Sequence, residues 1–263
     1  MNQHHHINIL LDIMSKLRDP DGGCPWDLKQ DFKSIVPHTL EEAYEVADCI
    51  ERDALFELKD ELGDLLFQIV FYAELGKEQQ LFNFEDIVAA ICDKLVRRHP
   101  HVFAKNEIAD EQEQNDWEVI KANERKSKSL NRVLDDIPAG LPALTRAQKI
   151  QKRVAREGFD WPNVMGALDK VEEEIAEVRE ALLNDNQSDH VAEELGDLLF
   201  ALVNVIRHIG FNAETVLRNA NNKFCRRFNQ VELTISKSKP LKEASLEEME
   251  AVWQRVKAQE KLN

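Results

Sequence analysis

Apolar residues recur every three or four positions along most of the chain, the spacing of one helix face. Leu10, Ile13, Met14 and Leu17 predict a short amphipathic helix over residues 7–17, and the turn-forming run Asp19-Pro-Asp-Gly-Gly-Cys-Pro25 ends it. The helical pattern returns at Thr39. A further helix over 57–75 would bury the stripe Leu62, Leu65, Leu66 and Ile69. Another, over 84–98, closes on Lys94-Leu-Val-Arg97-Arg98-His99-Pro100, where the proline stops it. Residues 104–114 read as a polar loop and 116–126 as helix. The run Leu134-Asp-Asp-Ile-Pro138-Ala-Gly140-Leu-Pro142 breaks the pattern with two prolines and a glycine, and marks a domain boundary.

Beyond that break the pattern repeats. A basic amphipathic helix covers 144–154. Gly158-Phe-Asp-Trp161-Pro answers Gly23-Cys-Pro-Trp26-Asp, and a helix over 170–183 answers the one begun near Thr39. A helix over 193–208 answers 60–72, because Glu194-Leu-Gly-Asp-Leu-Leu-Phe200 matches Glu61-Leu-Gly-Asp-Leu-Leu-Phe67 letter for letter. Lys223-Phe-Cys-Arg226-Arg227 answers the basic run ending at Arg98, and both runs are expected at a helix end. Trp253, Lys257 and Glu260 answer Trp117, Lys121 and Glu124. Ser245 and Glu248 have the spacing of a capping box for the last helix. No segment reads as a strand. The expected fold is all-α, a tandem duplication with units over 1–130 and 131–263.

Composition narrows the setting. The 263 residues are 43% hydrophobic, enough for packed cores, yet no apolar run approaches the ~20 residues of a membrane span. The start, with His4, His5 and His6, lacks the pattern of a secretory signal and reads as a frayed terminus. Four scattered cysteines argue against zinc or disulfides and for a reducing, cytoplasmic compartment. A net charge of −15 repels long nucleic acid, but not a small phosphorylated ligand arriving with its own cation.

The charged residues carry the chemistry. Glu174 and Glu177 share one helix face, as do Glu194 and Asp197, and two such helices packed together would gather four carboxylates. Clustered carboxylates are costly without a cation, and hard oxygen donors suit Mg2+ or Mn2+. Glu41, Glu42, Glu45, Glu61 and Asp64 repeat the arrangement in the first copy. An isolated pair of this kind is usually a solvated face, and Thr39 with Glu42 also fits a capping box. A solvated surface does not require the same spacing twice. Gly63 and Gly196 sit between carboxylates at a cost of ~1 kcal/mol each relative to alanine, which close helix approach or metal-site geometry would offset. Lys94, Arg97 and Arg98, and Lys223, Arg226 and Arg227, have a spacing that suits phosphate oxygens, although cations also complement a helix C-terminus. Trp161 or Trp253 could stack on a base. Phosphate-binding glycine loops, nucleophile motifs and the Glu-x-x-His of di-iron bundles are missing. Metal-assisted attack of water on a phosphoanhydride remains.

The duplicated Glu-Glu-x-x-Glu and Glu-x-x-Asp, with Glu-Leu-Gly-Asp-Leu-Leu-Phe in both copies, resembles the MazG family of nucleoside triphosphate pyrophosphohydrolases over essentially the whole chain. The resemblance implies an all-α homodimer whose sites are completed across the two subunits. It also implies Mg2+-dependent hydrolysis of NTPs and dNTPs to the monophosphate and pyrophosphate. It assigns Glu174, Glu177, Glu194 and Asp197 as metal ligands and Lys170, Lys223, Arg227 and Trp253 as nucleotide contacts, with Glu173 as the group that orients or deprotonates water. A similar protein carries lysine at the position of His190. In the first copy the matching positions are Glu41, Glu42, Glu45, Glu61, Asp64, Lys94 and Arg98. His38 stands there in place of Lys170, which favours the second copy as the active one. Two rival readings are a diphosphatase restricted to dUTP or dCTP and a non-catalytic acidic scaffold.

Overall fold

The structure, a computed structural model, describes residues 5–103, 132–184 and 188–260. Among the described residues all regular structure is helical. The chain forms two compact units, Met1–Lys121 and Ala122–Asn263. The boundary expected at 130/131, the helix expected over 116–126 and Trp117 lie outside the described residues.

The first unit contains α1 (His5–Leu17), α2 (Val36–Glu51), α3 (Leu58–Glu78), α4 (Phe84–Arg98) and the short α5 (Pro100–Phe103). Helices α1 and α2 pack on α3. The periodic apolar positions of α1 and α3 meet in a core of Met14, Ile35, Val70, Phe71 and Leu75. Arg18 is buried beside this core, with Nε and Nη2 donating to the Glu78 carboxylate at 2.6 and 2.7 Å. Asn83 caps α4, accepting from the Asp86 backbone N–H while the Asp86 carboxylate accepts from that of Asn83. The capping box expected at Thr39 does not form. Helix α2 already begins at Val36, and the Thr39 hydroxyl instead lies within hydrogen-bond distance of the Ile35 carbonyl and the Tyr72 hydroxyl. Glu42 is therefore released from the capping role.

The second unit contains α6 (Ala143–Ala155), α7 (Val164–Asn184), α8 (Asp189–His208), α9 (Ala213–Ile235) and α10 (Leu246–Glu260). Helices α7 and α8 pack along one another, α6 lies against α8 and α9, and α10 covers α9. Val231, Ile235 and Val252 form a buried cluster there, with Trp253 packed against it. Helix α7 begins six residues before the expected start, where the Asn163 side chain accepts the Met165 backbone N–H at 2.9 Å. The capping box at Ser245 and Glu248 forms reciprocally.

Three expectations are corrected. The run Lys223–Arg227 lies inside α9, not at a helix end. Proline follows the first-copy run at position 100, but the next proline after Arg227 is Pro240, so nothing stops α9. Second, Leu62, Leu66 and Ile69 are exposed rather than buried, and so are Leu195, Leu199 and Leu202, in register with them on α8. Periodicity locates an apolar face but not what covers it. Third, among the described residues no close helix approach surrounds Gly63 or Gly196, since a Cβ at either position would meet nothing within 4 Å.

Candidate functional site

The α7–α8 pair brings three of the four second-copy carboxylates together. One carboxylate oxygen each of Glu174, Glu194 and Asp197 lies within 4.8 Å of the others. Three- and four-residue spacings on two packed helices produce this convergence. Glu174 is the buried member, at 4% exposure. Its Oε1 accepts from Lys170 Nζ at 2.6 Å, while its buried Oε2 has no hydrogen-bond partner among the described residues. A buried carboxylate oxygen without a donor is expensive, and a cation among three such oxygens relieves it. The donor set therefore fits a hard divalent ion. Glu177 stands outside the three-way group but feels it. Burial pushes its carboxyl up, Lys170 draws it down, and Glu174 and Glu194 raise it further.

Lys170 bridges two neighbours on α7, donating to Glu173 Oε1 at 2.8 Å as well as to Glu174. Hydrogen bonds to Glu173 first, and to Glu174 next, hold its ammonium above the ordinary lysine range. Glu173 itself is solvent-exposed. His190 Nδ1 lies 3.4 Å from Glu194 Oε1.

The first copy gathers a different three of the same four positions. Glu42, Glu45 and Glu61 converge, whereas Asp64 does not join them. Burial raises the Glu42 carboxyl, with Asp64 the next cause and Glu45 after it. Glu61 is raised in the same way, by burial and then by Glu45 and Asp64. Glu41 is exposed, 3.7 Å from His38 Nδ1. Lys94 and Arg98 lie in the closing turns of α4.

Beside the second-copy carboxylates opens a cleft of about 700 Å³, and Lys170, Glu174 and Asp197 line it. Its other walls come from α6, the loop after it and the continuing face of α8. Gly158, at φ +86°, makes the turn that ends α6. Phe159 and Trp161 follow, both exposed, and Phe200 faces the cleft from α8. The absence of a Cβ at Gly166 lets the Trp161 ring lie against α7, because an added Cβ would come within 3.0 Å of that ring.

Sequence reasoning missed the polar groups that complete this cleft. Asp160 Oδ1 accepts from the Arg207 guanidinium and from the Trp161 backbone N–H at 2.9 Å, and lies 3.0 Å from His208 Nε2. Burial pushes the Asp160 carboxyl up, but Arg207, the Trp161 N–H and His208 together hold it below its ordinary value. Arg207 also donates through Nε and Nη2 to Asn204 Oδ1, at 2.9 and 2.7 Å. Asp160 and Arg207 are 47 residues apart, so no local motif announces them. A usable signal was present in the repeat itself. In register with Phe71 and Leu75 of the first-copy core stand Asn204 and His208, two polar residues where a core would be apolar.

The expected nucleotide contacts separate into two groups. Lys170 lines the cleft, whereas Lys223, Arg227 and Trp253 do not. Arg227 pairs with Glu260 at 2.7 Å and lies 5.8 Å from the Trp253 ring centroid, and Phe224 packs on the same ring at 5.2 Å. These contacts tie α9 to α10.

Comparison with known proteins extends the picture. The family model described as "MazG nucleotide pyrophosphohydrolase domain" matches residues 30–103 and 166–232, once in each copy. The nucleoside triphosphate pyrophosphohydrolase of Escherichia coli strain K12 is 52% identical over 266 residues, covering 99% of both chains. The nucleoside triphosphate pyrophosphohydrolase/pyrophosphatase MazG of Thermotoga maritima is 39% identical and covers 94% of both. A crystal structure of a mazG-related protein from Thermotoga maritima aligns with 44% of this chain and 98% of its own, at 25% identity and a TM-score of 0.38. The chain, with the family's domain present twice and full-length relatives at up to 52% identity among those named, belongs to the MazG nucleotide pyrophosphohydrolase family.

Proposed function

We propose that the second unit hydrolyses nucleoside triphosphates at the α–β phosphoanhydride, releasing the monophosphate and pyrophosphate. The observation that carries this reading is the buried, unpartnered Glu174 Oε2 within reach of Glu194 and Asp197, at the edge of a cleft that Lys170 also lines. Full-length relatives named as nucleoside triphosphate pyrophosphohydrolases support it.

Glu174, Glu194 and Asp197, with Glu177 beside them, would hold Mg2+, or Mn2+ in its place. The ion supplies positive charge against the triphosphate and acidity for the attacking water. The chain's own groups do the rest. Lys170 compensates Glu174 and Glu173, and its ammonium, at the edge of the cleft, would be in place to contact phosphate oxygens. Glu173 is exposed and adjacent to the ligands, placed to orient a water or take its proton. Lys223 and Arg227 belong to a separate cluster with Trp253; we assign the two cations to the β- and γ-phosphates, and the Trp253 ring to the nucleotide, of a site completed by a second copy of the chain.

The exposed leucines support a dimer. Leu195, Leu199 and Leu202 make one apolar stripe on the helix that carries Glu194 and Asp197, and Leu62, Leu66 and Ile69 repeat it on α3. The first copy reads as structural or regulatory. It has His38 for Lys170, and apolar Phe71 and Leu75 where the second copy has Asn204 and His208. The broad activity is favoured over the scaffold reading, because a scaffold has no use for an orphaned buried carboxylate beside a cleft.

Phosphorus NMR of the products from ATP, dCTP and dUTP with Mg2+ tests the reaction. Monophosphate and pyrophosphate are expected from all three. Diphosphate and inorganic phosphate would place the cut at the β–γ bond, and turnover of a single nucleotide would favour a specific diphosphatase.

A further inference from the structure

We infer that Asp160 and Arg207 form a positioning pair for substrate binding: their charged bond ties the loop after α6 to α8 and so fixes the wall of the cleft that carries Phe159 and Trp161. This inference rests on the triphosphate being bound at the carboxylates beside that cleft, as proposed above.

Chain order places Asp160 at the control point. Its two neighbours in sequence, Phe159 and Trp161, both line the cleft, and both rings are exposed. The three residues share one stretch of backbone, so whatever anchors the Asp160 carboxylate also sets where the flanking rings stand. The loop is short, since α6 ends at Ala155 and α7 begins at Val164. Gly158 turns it at φ +86°, and the Trp161 ring rests against Gly166 of α7. The Asp160 carboxylate then joins it to α8.

That joint is built from several bonds on one oxygen. Asp160 Oδ1 accepts from the Arg207 guanidinium and from the Trp161 backbone N–H at 2.9 Å, with His208 Nε2 at 3.0 Å. The Arg207 side chain is 10% exposed and that of Asp160 23%, so solvent screens the pair far less than a surface ion pair. Arg207 is itself held, because its Nε and Nη2 both donate to Asn204 Oδ1 one turn back along α8. A guanidinium fixed in this way offers the carboxylate a single seat. Arg207 also stands on the helix that carries Glu194 and Asp197. The loop is therefore placed with reference to the same element as the carboxylates.

The repeat offers a comparison within the same chain. The residue in register with Asp160 is Pro25, and the one in register with Arg207 is Glu74. Proline has no side-chain acceptor, and Glu74 pairs instead with Lys77 of its own helix at 3.0 Å. The first copy has neither half of the pair. The second copy has both, and it is the copy whose cleft runs to the lysine and carboxylates.

The test is binding and turnover by the full-length protein carrying Asp160→Asn, Arg207→Gln, or both. Steady-state kinetics with dUTP and Mg2+ would give kcat and KM. Calorimetry with Ca2+ and a dUTP analogue, its α–β bridge replaced by an uncleavable imido group, would give Kd. Each single variant is expected to raise KM and Kd about tenfold or more while kcat changes less than about threefold, because a loosened wall weakens binding and leaves the carboxylates in place. The double variant is expected to match the singles within about twofold, since either change frees the loop. Arg207→Lys keeps a cation but not the fork, is expected to fall between wild type and Arg207→Gln, and serves if the glutamine variant fails to fold. A merely structural role would lower kcat through the folded fraction and leave KM unchanged, and that result would overturn the inference. So would a tenfold effect of Arg207→Gln with none from Asp160→Asn, which would mean that Arg207 meets the substrate on its own account. Absence of pyrophosphate release from wild type would instead defeat the proposed reaction, and the Kd values would still decide the role of the pair.

Discussion

Glu174 shows how one residue links burial to chemistry. A carboxylate at 4% exposure with one cationic neighbour and one unpartnered oxygen among the described residues is unstable as a purely structural feature. The strain makes sense beside two further carboxylates that can share a cation. Asp160 illustrates the opposite case, a charge whose partners are all supplied by the chain. Its folded carboxyl lies below the ordinary value, so its contribution to stability is present above the unfolded pKa and is lost as pH falls through the lowered folded one. Asp160→Asn should therefore cost about 2 kcal/mol at neutral pH, the scale of a hydrogen bond to a charged group. In strongly acid buffer the gap between variant and wild type should close. Thermal melts across that range check this, and a gap independent of pH would show that Asp160 is not held as a carboxylate by Arg207. Only part of this was readable from the residues alone. Glu174 and Asp197 advertised themselves by spacing, whereas Asp160, Asn204 and Arg207 depend on where a loop folds back.

At the scale of elements, the helices were legible because their periodicity is local, and so were several ends that carried capping or proline signals, although the box expected at Thr39 did not form. Helix α4 closes at Arg98 before Pro100, and the Ser245–Glu248 box opens α10. The misread end, at Arg227, lacked any stop residue. The apolar stripe on α3 was found, but its burial was inferred wrongly, since a pattern of leucines is the same whether it faces a core or a second chain. That ambiguity yields a prediction for α8. Leu199 is 56% exposed between Leu195 and Leu202. If these residues form the contact with a second copy, Leu199→Arg should shift the protein toward the monomer in sedimentation velocity, because a buried unpaired charge costs several kcal/mol. An unchanged sedimentation coefficient would remove this face from the interface.

Across the whole molecule, duplication has produced two units that keep the same acidic spacing and differ in what surrounds it. The first unit fills the inner face of α3 with Phe71 and Leu75. The second leaves a cleft beside its carboxylates and lines it with Asn204, Arg207 and aromatic rings. The repeated Glu-Leu-Gly-Asp run made the duplication plain, but the division of labour lies in residues that break the repeat. The central claim is that hydrolysis belongs to the second copy and depends on Glu174. The most direct measurement is pyrophosphate release from dUTP with Mg2+ by wild type, Glu174→Ala and Glu42→Ala, each confirmed as folded by circular dichroism. The account predicts a loss of more than about a hundredfold in Glu174→Ala, the effect of removing a metal ligand, and near wild-type release in Glu42→Ala. Full activity in Glu174→Ala, or its loss only in Glu42→Ala, would contradict it.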